Sequence, residues 1–536
     1  MPTPMRKQYL SIKKRYPEAI VFFRLGDFYE TFDQDAKLVA QICDIVLTSR
    51  PVAKGQRVPM AGVPYHAAEG YIAKLITAGH KVAIVEQMGE AESASGGPRG
   101  LMARQVVRVL TPGTLVEPGL LEAKRNNYLA AVVARGEEIG LAYVDITTGE
   151  FAVTQFGGAD APHQLQQELA RLQPAECLVP MEAPPPVEKL DGFHLSPYPA
   201  WRFEPEQARQ ALLDHFQVAS LEGFGCQDKP LAIGAAGSII QYLGETQPSS
   251  LAQLDGLRTY STSAFMTLDP ATRRNLELTQ TIRGGAVSSS LLGVLDVTQT
   301  PMGGRLLRQW LSQPLLELEA LNRRLDAVEA LYRQGPLRID MRERLGKLRD
   351  LERTVRRVAQ RMAGPRDLWA MRDTLERTRE LRELLVKAIQ DQVSPLSDLV
   401  AELDPCEEVA QLIARAIRED AAASLGEVGV QQNLRILHRG QRAQFAAGPL
   451  GLLAQADHRR GRTFYHPGDE ALRGYDPQRG TTASGPGNAT FLRGVRGDLR
   501  LRRAPAGHGP SPGPAGCLLR PGRGGGAQPL RPPSTR

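Results

Sequence analysis

The chain has 536 residues, 42% of them hydrophobic, which is enough for three or four domains of roughly 100–200 residues each. No run of about 18 apolar residues occurs, so we expect no membrane-spanning helix, and the charged N-terminus lacks the apolar stretch of a secretory signal. Five cysteines lie far apart without CxxC spacing, which argues against a zinc site or a disulfide framework and favours a reducing cytoplasm.

The positive charge is confined to one end of the chain. The formal net charge is +7, but residues 431–536 contain 17 Arg, no Lys and 5 acidic residues, a net of +12, which leaves −5 for the rest. Overall basicity is therefore weak support for nucleic-acid binding by the folded part, and local patches must supply it.

Residues 1–113 have the pattern of a mixed α/β domain. The predicted elements are a helix over Lys7–Tyr16, a strand over Ala19–Leu25, helical spacing over Phe28–Cys43, a helix over Ala67–Ala78, and strands over Lys81–Gln87 and Arg104–Leu110. Turn chemistry at Thr111–Thr114 marks the domain edge.

Residues 122–248 form a second α/β pattern. Strands are predicted over Tyr128–Ala134, Gly140–Asp145, Glu150–Phe156 and Cys177–Val179, and helices over His163–Leu172 and Ala208–Phe216. One interpretation of Asp145 is a carboxylate of a nuclease site. Such a site needs several carboxylates that converge on metal ions, so we favour the interpretation that Asp145 caps a turn. His66 and His80 have no neighbours at metal-ligand spacing, so ordinary surface or loop roles are favoured for them.

Residues 257–430 are predicted to be mostly helical. Apolar residues recur at i, i+3, i+4 and i+7 over Leu318–Arg333, Arg338–Arg361 and Leu368–Gln390, a pattern typical of long helices in an extended scaffold. The single Gly-Lys dipeptide, Gly346-Lys347, falls inside a predicted charged helix and is followed by Leu348. It therefore lacks the context of a phosphate-binding P-loop.

Residues 431–536 belong to a different composition class. Nineteen Gly and twelve Pro, together with the loss of periodicity, predict a disordered tail. Arg462–Asp476 can be back-translated so that a neighbouring frame reads E-R-F-I-T-P-E-M-K-R-Y-E-A-M, which suggests a loss of reading frame near residue 430. A natural basic tail that binds RNA or DNA is the alternative.

A short aromatic motif follows the first predicted strand. In Gly26-Asp27-Phe28-Tyr29-Glu30, Asp27 fits a helix N-cap with Glu30 three residues later, and the aromatic residues fit a core. Alternatively, Phe28 sits exposed at a strand-to-helix turn and wedges into a base step, as apolar side chains of minor-groove proteins do. Glu30 would then bond to an exposed base edge, either as the carboxylate or in protonated form. The two interpretations are compatible.

This motif and seven others, in order, resemble the MutS family of DNA mismatch-repair proteins. The similar stretches are Gly26–Glu30, Pro59–His66, Leu110–Thr114, Asn127–Ala131, Asp145–Phe151, Leu268-Asp269, Asn275–Leu278 and Pro301–Leu307. Each is weak alone, but their order over about 430 residues makes the resemblance specific.

The resemblance implies a multidomain α/β plus α fold. Its parts would be a mismatch-binding domain (1–113), an RNase H-like α/β connector (122–248), the first half of a long-helix lever domain (257–430) and the disordered tail (431–536). It implies that Phe28 stacks on a mispaired base and that Glu30 hydrogen-bonds that base. The expected function is recognition of mispaired or unpaired bases in duplex DNA to initiate mismatch repair.

The resemblance also implies ATP and Mg²⁺ in an ATPase domain, homodimerisation, and a MutL-type partner. Because no P-loop is found, we expect no nucleotide or metal cofactor and no catalytic residue in this chain, and stable dimerisation is doubtful. A nucleoid-associated cytoplasmic protein is expected. The alternatives are a truncated, non-functional product and, less favoured, a metal-dependent nuclease.

Overall fold

The computed structural model describes residues 3–53, 56–88, 103–182, 193–360, 362–389 and 394–417. Disorder and a lost reading frame are predicted for residues 431–536. Those residues lie outside the part of the chain that the structure describes. Within the described residues the chain forms two mixed α/β sheets followed by many helices. No helix among them is long and apolar enough to cross a lipid bilayer.

The first sheet has six strands in the order β3-β4-β2-β1-β5-β6. Its region contains α1 (Pro4–Arg15), β1 (Ala19–Leu25), β2 (Phe28–Phe32), α2 (Asp33–Cys43), β3 (Thr48–Ala53), β4 (Gln56–Pro64), α3 (Ala68–Thr77), β5 (Lys81–Met88) and β6 (Ala103–Leu110). β1 and β5 are parallel, and the other pairs are antiparallel.

Both faces of this sheet are covered. On one face Tyr9 of α1 packs with Phe23 and Phe32, and on the other face Phe22 and Tyr29 belong to a cluster that includes residues of α2 and α3. This sandwich holds β1 and β2 rigidly in the middle of the sheet.

The prediction of helical spacing over Phe28–Cys43 is wrong for its first five residues. Phe28–Phe32 is strand β2, paired with β1 on one side and β4 on the other, and the helix begins only at Asp33. Asp27 is therefore not a helix N-cap, and the predicted strand-to-helix turn is a β-hairpin. Tyr29 and Phe32, aromatic residues of high strand propensity, are buried on opposite faces of the sheet.

The second sheet follows in the middle of the chain, with the strand order β11-β10-β7-β8-β9-β12. Its region contains β7 (Leu129–Arg135), β8 (Glu138–Asp145), β9 (Glu150–Phe156), α4 (Ala161–Leu172), β10 (Glu176–Pro180), β11 (Leu195–Tyr198), α5 (Pro205–Phe216), α6 (Pro230–Thr246), α7 (Pro248–Leu251) and β12 (Arg258–Thr259). β7, β8 and β9 form an antiparallel meander, and β10 and β11 extend it in parallel.

The last part of the described chain is helical. It contains α8 (Pro270–Asn275), α9 (Leu291–Leu295), α10 (Pro301–Ser312), α11 (Leu318–Arg333), α12 (Gly335–Leu345), α13 (Leu351–Ala359), α14 (Pro365–Ile389), α15 (Ser397–Glu402) and α16 (Glu407–Ala416). The single helix predicted over Arg338–Arg361 is wrong. The chain leaves the helix at Gly346, and Asp350 caps a new one by accepting from the Arg353 N–H at 3.3 Å.

Candidate nucleic-acid interface

The β1–β2 hairpin presents Phe28 to solvent. Its two loop residues are Gly26 and Asp27, and Gly26 has φ of 60°, the left-handed backbone that glycine adopts at the first central position of a type II′ turn. The Tyr65 N–H donates to the Asp27 carbonyl at 2.9 Å, which ties the loop to the end of β4. Phe28, the first residue after the loop, is 47% exposed.

The rest of the aromatic motif faces inward. Tyr29 is 7% and Phe32 0% exposed, and the Tyr29 hydroxyl donates to the Glu86 carboxylate of β5. Burial, followed by the hydrogen bond to Glu86, raises the pKa of Tyr29 well above its ordinary value. The structure thus leaves Phe28 as the one aromatic side chain of this motif that is free to contact a ligand.

Glu30 lies on the same face of β2 as Phe28, two residues further on. Its side chain is only 14% exposed and forms an ion pair with Arg50 of β3. Both Glu30 and Phe28 pack over Gly62 of β4, where a Cβ would lie 3.8 Å from Phe28 Cδ1 and 3.8 Å from Glu30 Cγ. Any side chain longer than a methyl group at this position would compete with them for space.

Basic side chains lie on both faces of the sheet around this hairpin, with Arg50 and Arg104 on the Glu30 face and Arg24 and Arg57 on the opposite face. Arg57 is exposed and donates to Ser49 on the neighbouring strand, and Arg24 stacks over the half-exposed Tyr65 ring with its guanidinium carbon 3.7 Å from the centroid. Burial, with a smaller contribution from Arg50, lowers the pKa of Arg104. Positive groups beside an exposed aromatic residue suit a polyanion that also carries flat bases.

The sequence motif identified Phe28 and Glu30 but missed Arg50 and Gly62 as their neighbours. Arg50 lies on β3, a strand for which no element was predicted, and its contact with Glu30 spans 20 residues. Gly62 lies within the Pro59–His66 stretch that carries part of the family resemblance, which was the available signal for it.

Asp145 caps a turn, as the sequence predicts. Its carboxylate accepts from the Thr147 N–H at 2.8 Å and the Thr147 hydroxyl at 2.6 Å, and from Asn126 Nδ2 at 3.0 Å. Across the described parts of the chain, no group of three or more His, Cys, Asp or Glu residues is placed to hold a metal ion. No observation on these residues supports the nuclease alternative.

Comparison with known proteins places three consecutive family domains along the chain. Residues 3–118 match MutS domain I, residues 127–255 match MutS domain II, and residues 271–496 match MutS domain III. The third match continues past residue 430, where the change in composition is located.

Curated relatives named "DNA mismatch repair protein MutS" match the same part of the chain. The protein of Dehalococcoides mccartyi is 43% identical over 438 residues, which cover 79% of this chain and 48% of the relative. That of Symbiobacterium thermophilum is 45% identical over 80% of this chain and 49% of the relative. That of Synechococcus elongatus is 46% identical over 75% and 47%. The chain spans about half the length of these relatives, and with three consecutive domain matches it belongs to the MutS family.

Proposed function

We propose that this chain recognises mispaired or unpaired bases in duplex DNA and thereby initiates mismatch repair. The observation that carries the proposal is Phe28, an aromatic side chain 47% exposed at the end of a rigid hairpin whose other aromatic residues are buried. The relatives' printed name, DNA mismatch repair protein, agrees with it.

Phe28 acts as a wedge in this proposal. An apolar ring inserted from the minor groove unstacks a base step and kinks the duplex, which costs a few kcal/mol for paired bases. A mismatch lowers that cost because its bases are already poorly paired and stacked, so the protein selects it by deformability. The sheet must resist the same force, and the placement of β2 between β1 and β4 supplies that resistance.

Glu30 reads the displaced base in this proposal. A carboxylate close to phosphates is repelled unless it accepts a hydrogen bond from a base edge or is neutralised. The ion pair with Arg50 holds the Glu30 carboxylate beside Phe28 and offsets its charge. To hydrogen-bond a base, the Glu30 carboxylate must either contact Arg50 and the base together or release Arg50.

The wider activities of the family are proposals for this chain as well. The antiparallel meander β7–β9 followed by parallel β10 and β11 supports an RNase H-like connector. ATP and Mg²⁺ binding, homodimerisation, a MutL-type partner and association with the nucleoid come from the resemblance, and we assign none of them to a residue described above.

The proposal predicts that Phe28→Ala removes mismatch selectivity. Fluorescence anisotropy would compare a labelled duplex carrying one G·T mismatch with its matched twin at moderate salt. We expect wild-type protein to prefer the mismatch and Phe28→Ala to bind both duplexes equally. The ratio of the two affinities cancels any sequence-independent contact made by the Arg-rich residues 431–536.

Trp201→Ala is the matched control, because Trp201 is an equally exposed aromatic residue (50%) in the middle region. It should leave the selectivity unchanged. If wild-type protein binds both duplexes equally, or if Phe28→Ala keeps the preference, the proposed function is wrong.

A further inference from the structure

A cavity of about 540 Å³ lies between the second sheet and the helical region, away from Phe28 and Glu30. Six arginines line it, contributed by the segment before β7, by α4, by α8 and by α10: Arg125, Arg171, Arg273, Arg274, Arg305 and Arg308. Among the described residues that form its wall there is no Asp or Glu. The wall therefore concentrates positive charge around a partly open cavity.

Three of the six arginines form ion pairs with carboxylates that do not line the cavity. Arg171 pairs with Glu168 at 2.6 Å, and Arg125 approaches Glu122 at 3.6 Å. Arg305 is bound by Asp350 at 2.7 Å and by Glu352 at 2.6 Å. These three side chains are structural, and their charges are compensated.

The other three arginines have no ion pair within the described part of the chain. Arg273 donates to the Ser312 carbonyl, Arg274 is exposed at the rim, and the Arg308 side chain makes no hydrogen bond with the described residues. The Nε atoms of Arg273 and Arg308 are buried without a hydrogen-bond partner. Each of these guanidinium groups therefore has incomplete hydrogen bonding, and an anion in the cavity would supply acceptors to the rest of the planar group.

Electrostatics within the cavity agrees with this geometry. Burial, followed by repulsion from Arg171, lowers the pKa of Arg273 to about 10. Burial and repulsion from Arg125 lower the pKa of Arg308, and the attraction of Glu122 and Asp296 is smaller. Both side chains remain charged at neutral pH, and each would gain from a nearby anion.

We propose that this cavity binds a small polyphosphate anion, with Arg273, Arg274 and Arg308 as its ligands. Phosphate oxygens accept paired hydrogen bonds from the planar guanidinium fork, and three uncompensated positive charges favour a multiply charged anion. The volume lies within the roughly 300–1,000 Å³ of small-ligand pockets. A concave cavity of this size suits a compact anion better than a long duplex backbone.

Isothermal titration calorimetry of the full chain with pyrophosphate, without divalent cations and at constant ionic strength, tests the proposal. We expect a one-to-one binding step in the wild type. The double variant Arg273→Gln/Arg308→Gln should weaken it at least tenfold. Single Arg308→Gln should weaken it several-fold, and because the Arg308 side chain makes no hydrogen bond with the described residues, that variant should remain folded.

Arg135→Gln/Arg333→Gln is the matched control, since it removes two arginines whose side chains are 66% and 74% exposed. It should bind pyrophosphate like the wild type, and the Arg-rich residues 431–536 are the same in all the proteins compared. Equal pyrophosphate binding by the wild type and the double variant would overturn the proposal. So would a loss of matched-duplex affinity in the double variant, because the cavity would then serve the DNA backbone.

Discussion

Glu30 is subject to two opposing demands. In the proposed function its carboxylate must remain next to Phe28 to contact a base, yet any negative charge at this face would repel DNA phosphates. The ion pair with Arg50 meets both demands, because it balances the negative charge of the carboxylate and keeps the side chain in place. The pair is partly exposed, so its value is in positioning more than in stability.

We predict that Glu30→Ala reduces mismatch selectivity while raising affinity for matched DNA several-fold. The substitution removes the base contact and at the same time frees Arg50 to approach a phosphate. Anisotropy titrations with the matched and mismatched duplexes measure both effects. The double substitution Glu30→Ala/Arg50→Gln should return matched-duplex affinity toward that of the wild type, and an unchanged affinity in Glu30→Ala would contradict this account of Arg50.

His215 provides a pH-dependent contribution to stability. Burial lowers the pKa of His215, and the opposing hydrogen bond between its Nε2 and the Leu254 carbonyl, 2.7 Å away, has the smaller effect. The folded chain therefore binds this proton less readily than the unfolded chain does. Stability is complete above the unfolded pKa of about 6.5 and is lost as pH falls through the lower folded value.

Accordingly, the melting temperature of wild-type protein should fall more steeply below a pH of about 6.5 than that of His215→Gln. The difference between the two melting curves isolates His215 from the other histidines. His163→Gln, at an exposed position on α4, is the control and should follow the wild type. Parallel curves for wild type and His215→Gln would show that this side chain does not titrate with folding.

At the scale of elements, the sequence predicts strands best where a β-branched or aromatic run ends at turn residues. β1 and β9 are predicted at their observed bounds for this reason. The sequence does not predict β2, because Phe28, Tyr29 and Phe32 also fit one face of a helix. Only the pairing of β2 with β1 and β4 shows that these residues form a strand. β3 and β4 are not predicted, because Pro51, Pro59 and Pro64 interrupt the residue pattern of a strand.

The candidate site was predicted only in part for a related reason. Phe28 and Glu30 are adjacent on one strand, so a local motif reveals them. Arg50 and Gly62 reach them through the β2–β4 and β3–β4 pairings, and register between strands cannot be deduced from a single sequence.

Helix α6 depends on small residues for its close approach to the second sheet. A Cβ on Gly140 of β8 would lie 2.2 Å from the Leu231 backbone, and a Cβ on Gly237 would lie 2.4 Å from Ala208 of α5. Backbone therefore packs directly on backbone in this region, and no flexible side chain is present to move aside.

We predict that Gly237→Ala lowers the free energy of unfolding by about 1–3 kcal/mol, the usual cost of overpacking a core. Thermal melting followed by circular dichroism measures it. Gly157→Ala is the matched control, since a Cβ there meets nothing within 4 Å. Equal melting temperatures for the two variants would show that α5 and α6 can separate without cost.

At the scale of the whole molecule, arginines of the helical region donate hydrogen bonds to main-chain carbonyls of the segment that precedes the second sheet. Arg353 of α13, 9% exposed, donates to the Glu122 carbonyl at 3.1 Å and to the Arg125 carbonyl at 2.6 Å. Arg305 of α10 donates to the Ala123 carbonyl at 2.8 Å. These contacts hold the segment that joins the two sheets against the helices.

We therefore expect Arg353→Met to accelerate amide hydrogen exchange in residues 122–127 and to lower stability by about 1–3 kcal/mol, the cost of leaving polar groups without partners. Hydrogen-exchange mass spectrometry locates the effect. Arg349→Met removes an exposed guanidinium just before the same helix and should leave exchange unchanged. Unaltered exchange in Arg353→Met would mean that the segment is held by other contacts.

The buried carboxylate of Glu176, on β10, joins the first two regions. It is 0% exposed and accepts from the Gly113 N–H at 3.0 Å, from the Ser196 hydroxyl at 2.6 Å, from the Tyr242 hydroxyl at 2.8 Å, and from the Thr111 hydroxyl. Two of these donors belong to the end of the N-terminal region and two to the middle region.

This shared carboxylate limits how the N-terminal region, the proposed DNA-reading part, can be used as a separate probe. A fragment cut after residue 118 would keep Thr111 and Gly113 but lose their acceptor, and the remainder would retain a buried carboxylate with half its donors. A working reagent should therefore include residues 1–260, through β12, so that the whole second sheet accompanies the hairpin it supports.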